Sequence, residues 1–154
     1  MKTYNNIIQS KFKEMKKSIL TVLGIVVATL SILASDGQNV LTVVIKNVQG
    51  SDGLLEVTLF DSEGNWLKEG QKQKVSIDSG TDVKVEFKNL PKGAYAVAVI
   101  HDANANGELD TGSFGIPTEA YGFSNNARGM FGPADFDESQ FELNGNKQIE
   151  INIK

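Results

Sequence analysis

The chain has no cysteine, which removes disulfides, thiolate metal centres, a cysteine nucleophile and a lipid-modified cysteine anchor together. It has one histidine, so zinc or iron sites built from several histidines are excluded as well. Positive charge is thin beyond residue 35. There ten basic residues stand against eighteen acidic ones, a net of −8 within a whole-chain charge of −4. An anionic body is a poor partner for nucleic acid, whose phosphates are held by clustered Lys and Arg. No G-x-S-x-G elbow, P-loop or dinucleotide-binding glycine fingerprint occurs, and no internal repeat or low-complexity stretch is present.

The one long apolar run is also short of a membrane span. Met15-Lys16-Lys17 precedes Ser18–Leu33, 16 residues without a charge, and Ala34-Ser35 follow before the polar Asp36-Gly37-Gln38-Asn39. A spanning helix needs roughly 20 apolar residues. A basic start, an apolar middle and a small-residue exit have the form of a secretory signal peptide cleaved near Ala34-Ser35, with Met15 as the natural start. The rival reading is an uncleaved N-terminal anchor, the one route by which this chain would touch a membrane. The expected organisation is an N-terminal extension and signal helix over residues 1–35, then a single domain over 36–154 outside the cytoplasm, in the periplasm or secreted.

The domain reads as strands. Leu41, Val43 and Ile45 alternate with Thr42, Val44 and Lys46, and after the turn cluster Gly50–Gly53 the alternation resumes at Leu55, Val57 and Leu59. The pair is expected to form a hairpin. Trp66 and Leu67, in the polar Asp61–Gly70 loop, are expected to pack back on the sheet. Further strands are expected at Val75–Ile77, Val83–Phe87, Tyr95–His101, Gln140–Leu143 and Gln148–Ile153. Ala94, Ala96 and Ala98 oppose Tyr95, Val97 and Val99, so that strand is expected to be covered on both faces. Seven short strands and no required helix predict an all-β fold, an antiparallel Greek-key β-sandwich, with an open barrel as the alternative.

Two stretches exceed what a connection needs. Asp102–Asp110 reads DANANGELD, with side-chain oxygens of Asp102, Asn104, Asn106 and Asp110 at positions 1, 3, 5 and 9, and Gly107 at position 6. Oxygen donors at alternate positions around a glycine turn suit a hard cation such as Ca²⁺, with Glu108 offering its backbone carbonyl. Position 12, where an EF-hand carries a bidentate Glu, is Ser113, and Glu119 is the nearest acid that could fold in. The plainer alternative is a loop whose Asn and Asp side chains bond their own backbone.

The second stretch, Thr111–Glu138, is about 28 residues with no convincing strand and holds five of the chain's twelve aromatics. Disordered segments are poor in aromatics, so a folded loop pinned over one end of the sandwich is expected. Beyond that packing role, the sharper reading makes Tyr121, Phe123, Ser124, Asn125, Asn126 and Arg128 a ligand platform for a protein or glycan partner.

The runs Phe87–His101, Asp102–Asp110, Phe114–Ala127 and Phe131–Pro133 closely resemble the bacterial domain-of-unknown-function family 2141, over nearly the whole stretch from Leu41 to Ile153. The resemblance implies an exported bacterial protein of uncharacterised activity and brings no catalytic residues with it. Asn89–Tyr95 also looks like a turn of transthyretin-like and carboxypeptidase-regulatory-like sandwiches, a fold-level analogy only. An enzymatic alternative remains, a small periplasmic metal-dependent hydrolase centred on His101 with Asp102, Asp110 and Glu119. A Ser–His–acid set using Ser113 or Ser124 lacks its elbow motif. The plainer role for His101 is a strand-end residue whose ring bonds a loop carbonyl or carboxylate. The reading favours a non-catalytic, cation-stiffened module.

Overall fold

A computed structural model describes residues 39–50, 52–77 and 82–154. The expected signal segment lies outside the described residues. Eight strands are present in the described residues: β1 (Asn39–Lys46), β2 (Leu54–Phe60), β3 (Gln71–Ser76), β4 (Val83–Leu90), β5 (Gly93–Asp102), β6 (Tyr121–Phe123), β7 (Phe141–Leu143) and β8 (Lys147–Asn152). One short helix, α1 (Phe136–Ser139), precedes β7. None of the described helices is long and apolar enough to cross a membrane.

The strands form the two layers of a sandwich. One sheet has the order β4-β1-β8, and the other β3-β2-β5-β6 with β7 also paired to β5. Alternate residues of both sheets face inward, and Leu41, Val43, Ile45, Leu55, Val57, Val97, Val99, Phe87 and Ile151 are all at most 1% exposed. This inner layer is where apolar burial, at about 25 cal/mol per Å², stabilises the fold.

The pairing corrects one expectation. β1 and β2 do not form a hairpin, because β1 lies between β4 and β8, whereas β2 lies between β3 and β5. The chain passes from one sheet to the other between Lys46 and Leu54. Both strands have the same inward alternation, and alternation states which face is buried but not which strand sits alongside. The pairing of β1 with β8 is parallel, the single departure from antiparallel order among the described strands.

The segment after β5 is also more ordered than expected. It contributes β6, which pairs Tyr121–Phe123 with Ile100–Ala98, while β7 pairs further along the same edge with Tyr95–Gly93. The rest of the segment folds over the outer face of the second sheet rather than over its end. Phe60, Ala96, Ala98, Phe123, Ala134 and Phe136 form a second apolar cluster there, packed by Trp66. Trp66 lies edge-on to Phe60 at 4.9 Å and near Phe136 at 5.8 Å, and its indole N–H donates to Ala134 O at 2.9 Å. β5 is thus covered on both faces, as its alanines suggested. Leu67, in contrast, is 42% exposed and does not pack inward.

Candidate cation site

β5 ends by sending neighbouring side chains to opposite faces, as any strand must. His101 shares its parity with Val97 and Val99, toward the inner layer, and Asp102 shares the parity of Ala96 and Ala98, on the outer face. The His101 ring nitrogen Nε2 lies 2.9 Å from Asp52 O, so it fastens the residues just before β2 rather than the long loop. Asp102 is 2% exposed and begins the oxygen-rich loop.

The loop closes on its own oxygens. Asp102 Oδ1 accepts from Asn106 N at 3.0 Å and Oδ2 from Gly107 N at 2.8 Å. Asn104 Oδ1 accepts from Asn106 N at 3.0 Å, and Asn106 Oδ1 from Glu108 N at 2.9 Å. Asp110 then receives both carboxamides, Asn104 Nδ2 at 2.7 Å and Asn106 Nδ2 at 3.0 Å. The side chains at positions 1, 3, 5 and 9 therefore converge, and the turn bonds of the plainer alternative are present among them. Ala105 (φ 58) and Gly107 (φ 87) supply the left-handed bends. Only glycine takes the second without strain, and a Cβ there would lie 3.6 Å from Lys74 Nζ.

Surrounding residues hold this loop from three sides. Glu119 spans it, with Oε1 accepting from Ala103 N at 2.8 Å and Oε2 from Asp110 N at 3.0 Å. Thr118 bonds Asp110 O through its N–H at 2.9 Å and its hydroxyl at 3.1 Å. Gly53, just before β2, comes so close that a Cβ would lie 2.0 Å from Asp102 O. Alternation along β3 puts Lys72 and Lys74 on the outer face, where both form ion pairs with the buried Glu56, Lys74 at 3.2 Å. Lys74 borders the loop, and the sequence reading singled out neither lysine although their period-2 spacing was visible.

The donors fit a hard cation by type: two carboxylates, two carboxamides and the Glu108 carbonyl. Among the described residues no three His, Cys, Asp or Glu side chains gather as a metal-binding group. The four residues of the hydrolase alternative are divided between the two faces of β5, with Glu119 beside Asp110 and His101 on the other side. His101 bonds Asp52 O on the opposite face of β5 from Asp102, and each Glu119 oxygen accepts one backbone N–H, from Ala103 and Asp110.

The platform residues are placed, but most are engaged internally. Phe123 is buried in the outer cluster, and Tyr121 packs against it with ring centroids 5.8 Å apart. Ser124 is fully buried; its Oγ accepts from Val97 N at 2.9 Å and donates to Ser139 O, bridging the gap on β5 between β6 and β7. Asn125 Nδ2 donates to Glu138 O at 3.1 Å and Gln140 O at 2.8 Å, and Asn126 Oδ1 accepts from Asn152 N at 2.8 Å. Arg128 is exposed. Ser113 lies in a finger made by Thr111–Pro117, whose tip residue Phe114 (φ 66) is wholly exposed, as Phe131 nearly is.

Comparison with known proteins sharpens identity but not chemistry. No curated protein and no solved structure matches the chain. The sequence of residues 43–152, which contains every strand except parts of β1, matches the family described as "Uncharacterized protein conserved in bacteria". The chain belongs to that family, DUF2141.

Proposed function

We propose that the chain is an exported, non-catalytic β-sandwich module whose Asp102–Asp110 loop takes up Ca²⁺, and which presents the neighbouring long segment to a protein or glycan partner in the cell envelope. The observation that carries this reading is the convergence of the Asp102, Asn104, Asn106 and Asp110 side chains on one loop interior. Export is supported by the uncharged run Ser18–Leu33 with its basic and small-residue flanks. Each carboxylate oxygen retains lone pairs after accepting one N–H, so ion uptake would displace the two carboxamide N–H donors from Asp110 rather than dismantle the backbone turn. Glu119 would stay on its backbone donors and hold the cradle in shape. With two carboxylates, affinity belongs at the weak end for calcium modules, about 10⁻⁴ to 10⁻³ M.

A thermal melt with and without calcium tests this. At a hundredfold excess over the dissociation constant, uptake by the folded state alone stabilises by about 2.7 kcal/mol, roughly 10 °C in a domain of this size. A melting temperature that does not move between EGTA and about 50 mM Ca²⁺, well above that affinity range, refutes the ion part of the reading.

A further inference from the structure

The end of the sandwich remote from the oxygen loop holds a second feature. Leu54 of β2 pairs with Asp102, whereas Phe60 pairs with Ala96. Six residues of strand, about 20 Å, therefore separate the loop from the far end of β2. There the Asp61–Gly70 connection and the β4–β5 turn at Leu90-Pro91 enclose an open cleft of about 440 Å³. Its floor is apolar, made by Leu59, Leu90 and the ring of Tyr95, all nine-tenths buried. Its rim is polar, made by Asp61, Asn65, Glu69 and Gln71.

The charge on that rim is one-sided. Among the described residues, two carboxylates and no Lys, Arg or His line the cleft. Among the described residues neither Asp61 nor Glu69 belongs to an ion pair, although four such pairs form elsewhere. Asp61 Oδ1 receives Asn65 Nδ2 at 3.1 Å and Ser62 Oγ at 3.2 Å, both neutral donors. The uncompensated field reaches the floor. The Tyr95 hydroxyl, which donates to Pro91 O at 3.1 Å, is held above its ordinary pKa of 10.0 by burial and then by the charge of Asp61. Like charges over a low-dielectric wall raise the local concentration of cations.

We propose that this cleft binds an organic ammonium ion, the –NH₃⁺ end of a diamine or of a lysine side chain, with the ammonium between Asp61 and Glu69 and its aliphatic stem along Leu59, Leu90 and Tyr95. The two halves of the site select this class together. A bare metal ion gains nothing from the apolar floor, and a neutral polyol leaves both carboxylates uncompensated. A primary ammonium on a methylene chain satisfies both, laying its stem on apolar surface while its head meets the charge. Asn65 and Gln71 add carboxamide oxygens that can accept the remaining ammonium hydrogens.

The test is a heteronuclear NMR titration of the protein with three probes: cadaverine, Nα-acetyl-lysine methylamide and pentanediol, the uncharged counterpart of cadaverine. Both amines are expected to shift amides of residues 59–71 and 90–95 with a dissociation constant near about 1 mM, as suits ligands of this size, and pentanediol to leave them unmoved. Tighter binding of cadaverine assigns a free diamine as the natural source, and tighter binding of the lysine amide assigns a side chain on a peptide. Asp61→Asn with Glu69→Gln is expected to weaken either amine at least about tenfold, as loss of two close charges should. Both positions are exposed, and the melting temperature of the double variant checks that it folds. Glu69→Lys, which tethers an ammonium beside Asp61, should abolish binding in the same way. The proposal fails if neither amine shifts these amides, if pentanediol binds as well as cadaverine, if the double variant binds unchanged, or if the shifts fall on residues 102–110 instead.

Discussion

Asp102→Asn separates the backbone role of the loop from its ion role. The side chain keeps its size and stays 2% exposed, but one of its two oxygens becomes an NH₂ group. Asp102 now accepts from Asn106 N at 3.0 Å and Gly107 N at 2.8 Å. The amide can accept only one of these and turns a donor against the other. Loss of one charge-assisted bond to a part-buried N–H costs about 2 kcal/mol, or roughly 7 °C in melting temperature. The measurement is a melt in EGTA, where no cation contributes. Asp110→Asn is the companion variant. Its oxygens receive only the Asn104 and Asn106 carboxamides, which are exposed and can turn to water, so it should cost under about 1 kcal/mol in EGTA. It should nevertheless lose the calcium-induced rise. An Asp102→Asn protein that melts with the wild type in EGTA, or an Asp110→Asn protein that falls as far as Asp102→Asn, refutes the assignment of the backbone turn to Asp102.

Two further outcomes follow from other parts of the structure. Trp66→Ala removes the ring that joins Phe60, Phe123 and Phe136 and orphans Ala134 O; a loss of about 3 kcal/mol is expected in urea unfolding, while Trp66→Phe should recover more than half of it. A loss below about 0.5 kcal/mol in the alanine variant would mean that the outer cluster does not stabilise the fold. Tyr95 binds its proton more tightly folded than unfolded, because burial and then Asp61 oppose the phenolate. Its contribution is therefore complete below its ordinary value of 10.0 and is lost as pH rises through that value toward the higher folded one. The Lys46–Asp82 pair acts with the same sign, so Tyr95→Phe should make the alkaline fall in stability shallower without abolishing it. An identical slope in both proteins, measured by denaturant unfolding between about pH 9 and 11, would contradict the cause assigned to Tyr95.

How far the sequence carries the fold depends on the length of each signal. β1, β2, β4, β5 and β8 have three or more apolar residues at period 2, and all five form where the alternation places them. The two-sided burial of β5 was equally visible, because Ala94, Ala96 and Ala98 leave the outer face apolar. Neighbours were not visible. β1 joins β4 across 38 to 51 residues and β8 across 106, and a period-2 pattern says nothing about distant partners. β6 has three residues, too few for an alternation, and the polar first half of β3 offers no apolar face.

That Asp102–Asp110 gathers its own side chains was legible because the spacing is local, and the ion loop and the self-bonded loop share that spacing. The platform was harder to read. Ser124, Asn125 and Asn126 have the side chains of a recognition surface, yet they complete the backbone hydrogen bonds of β5, β8 and the residues around α1. A short polar residue in a loop can face a ligand or replace a missing ladder bond, and sequence alone does not separate the two. The cleft escaped notice for a related reason, since Asp61 and Glu69 lie in an ordinary polar loop and only the fold brings Tyr95 beneath them.

The parallel pairing of β1 with β8 has a kinetic consequence. Leu41 must find Lys147, and Ile45 must find Ile151, so the first strand of the domain waits for the last before the β4-β1-β8 layer can close. Contacts this distant in sequence slow folding, because the entropy of closing the intervening loop is lost before the contact rewards it. Until residues 147–152 have emerged, the chain has no complete second layer to fold against. A domain that stays open until its final strand arrives remains threadable, the state required of any polypeptide that crosses a narrow channel before it folds.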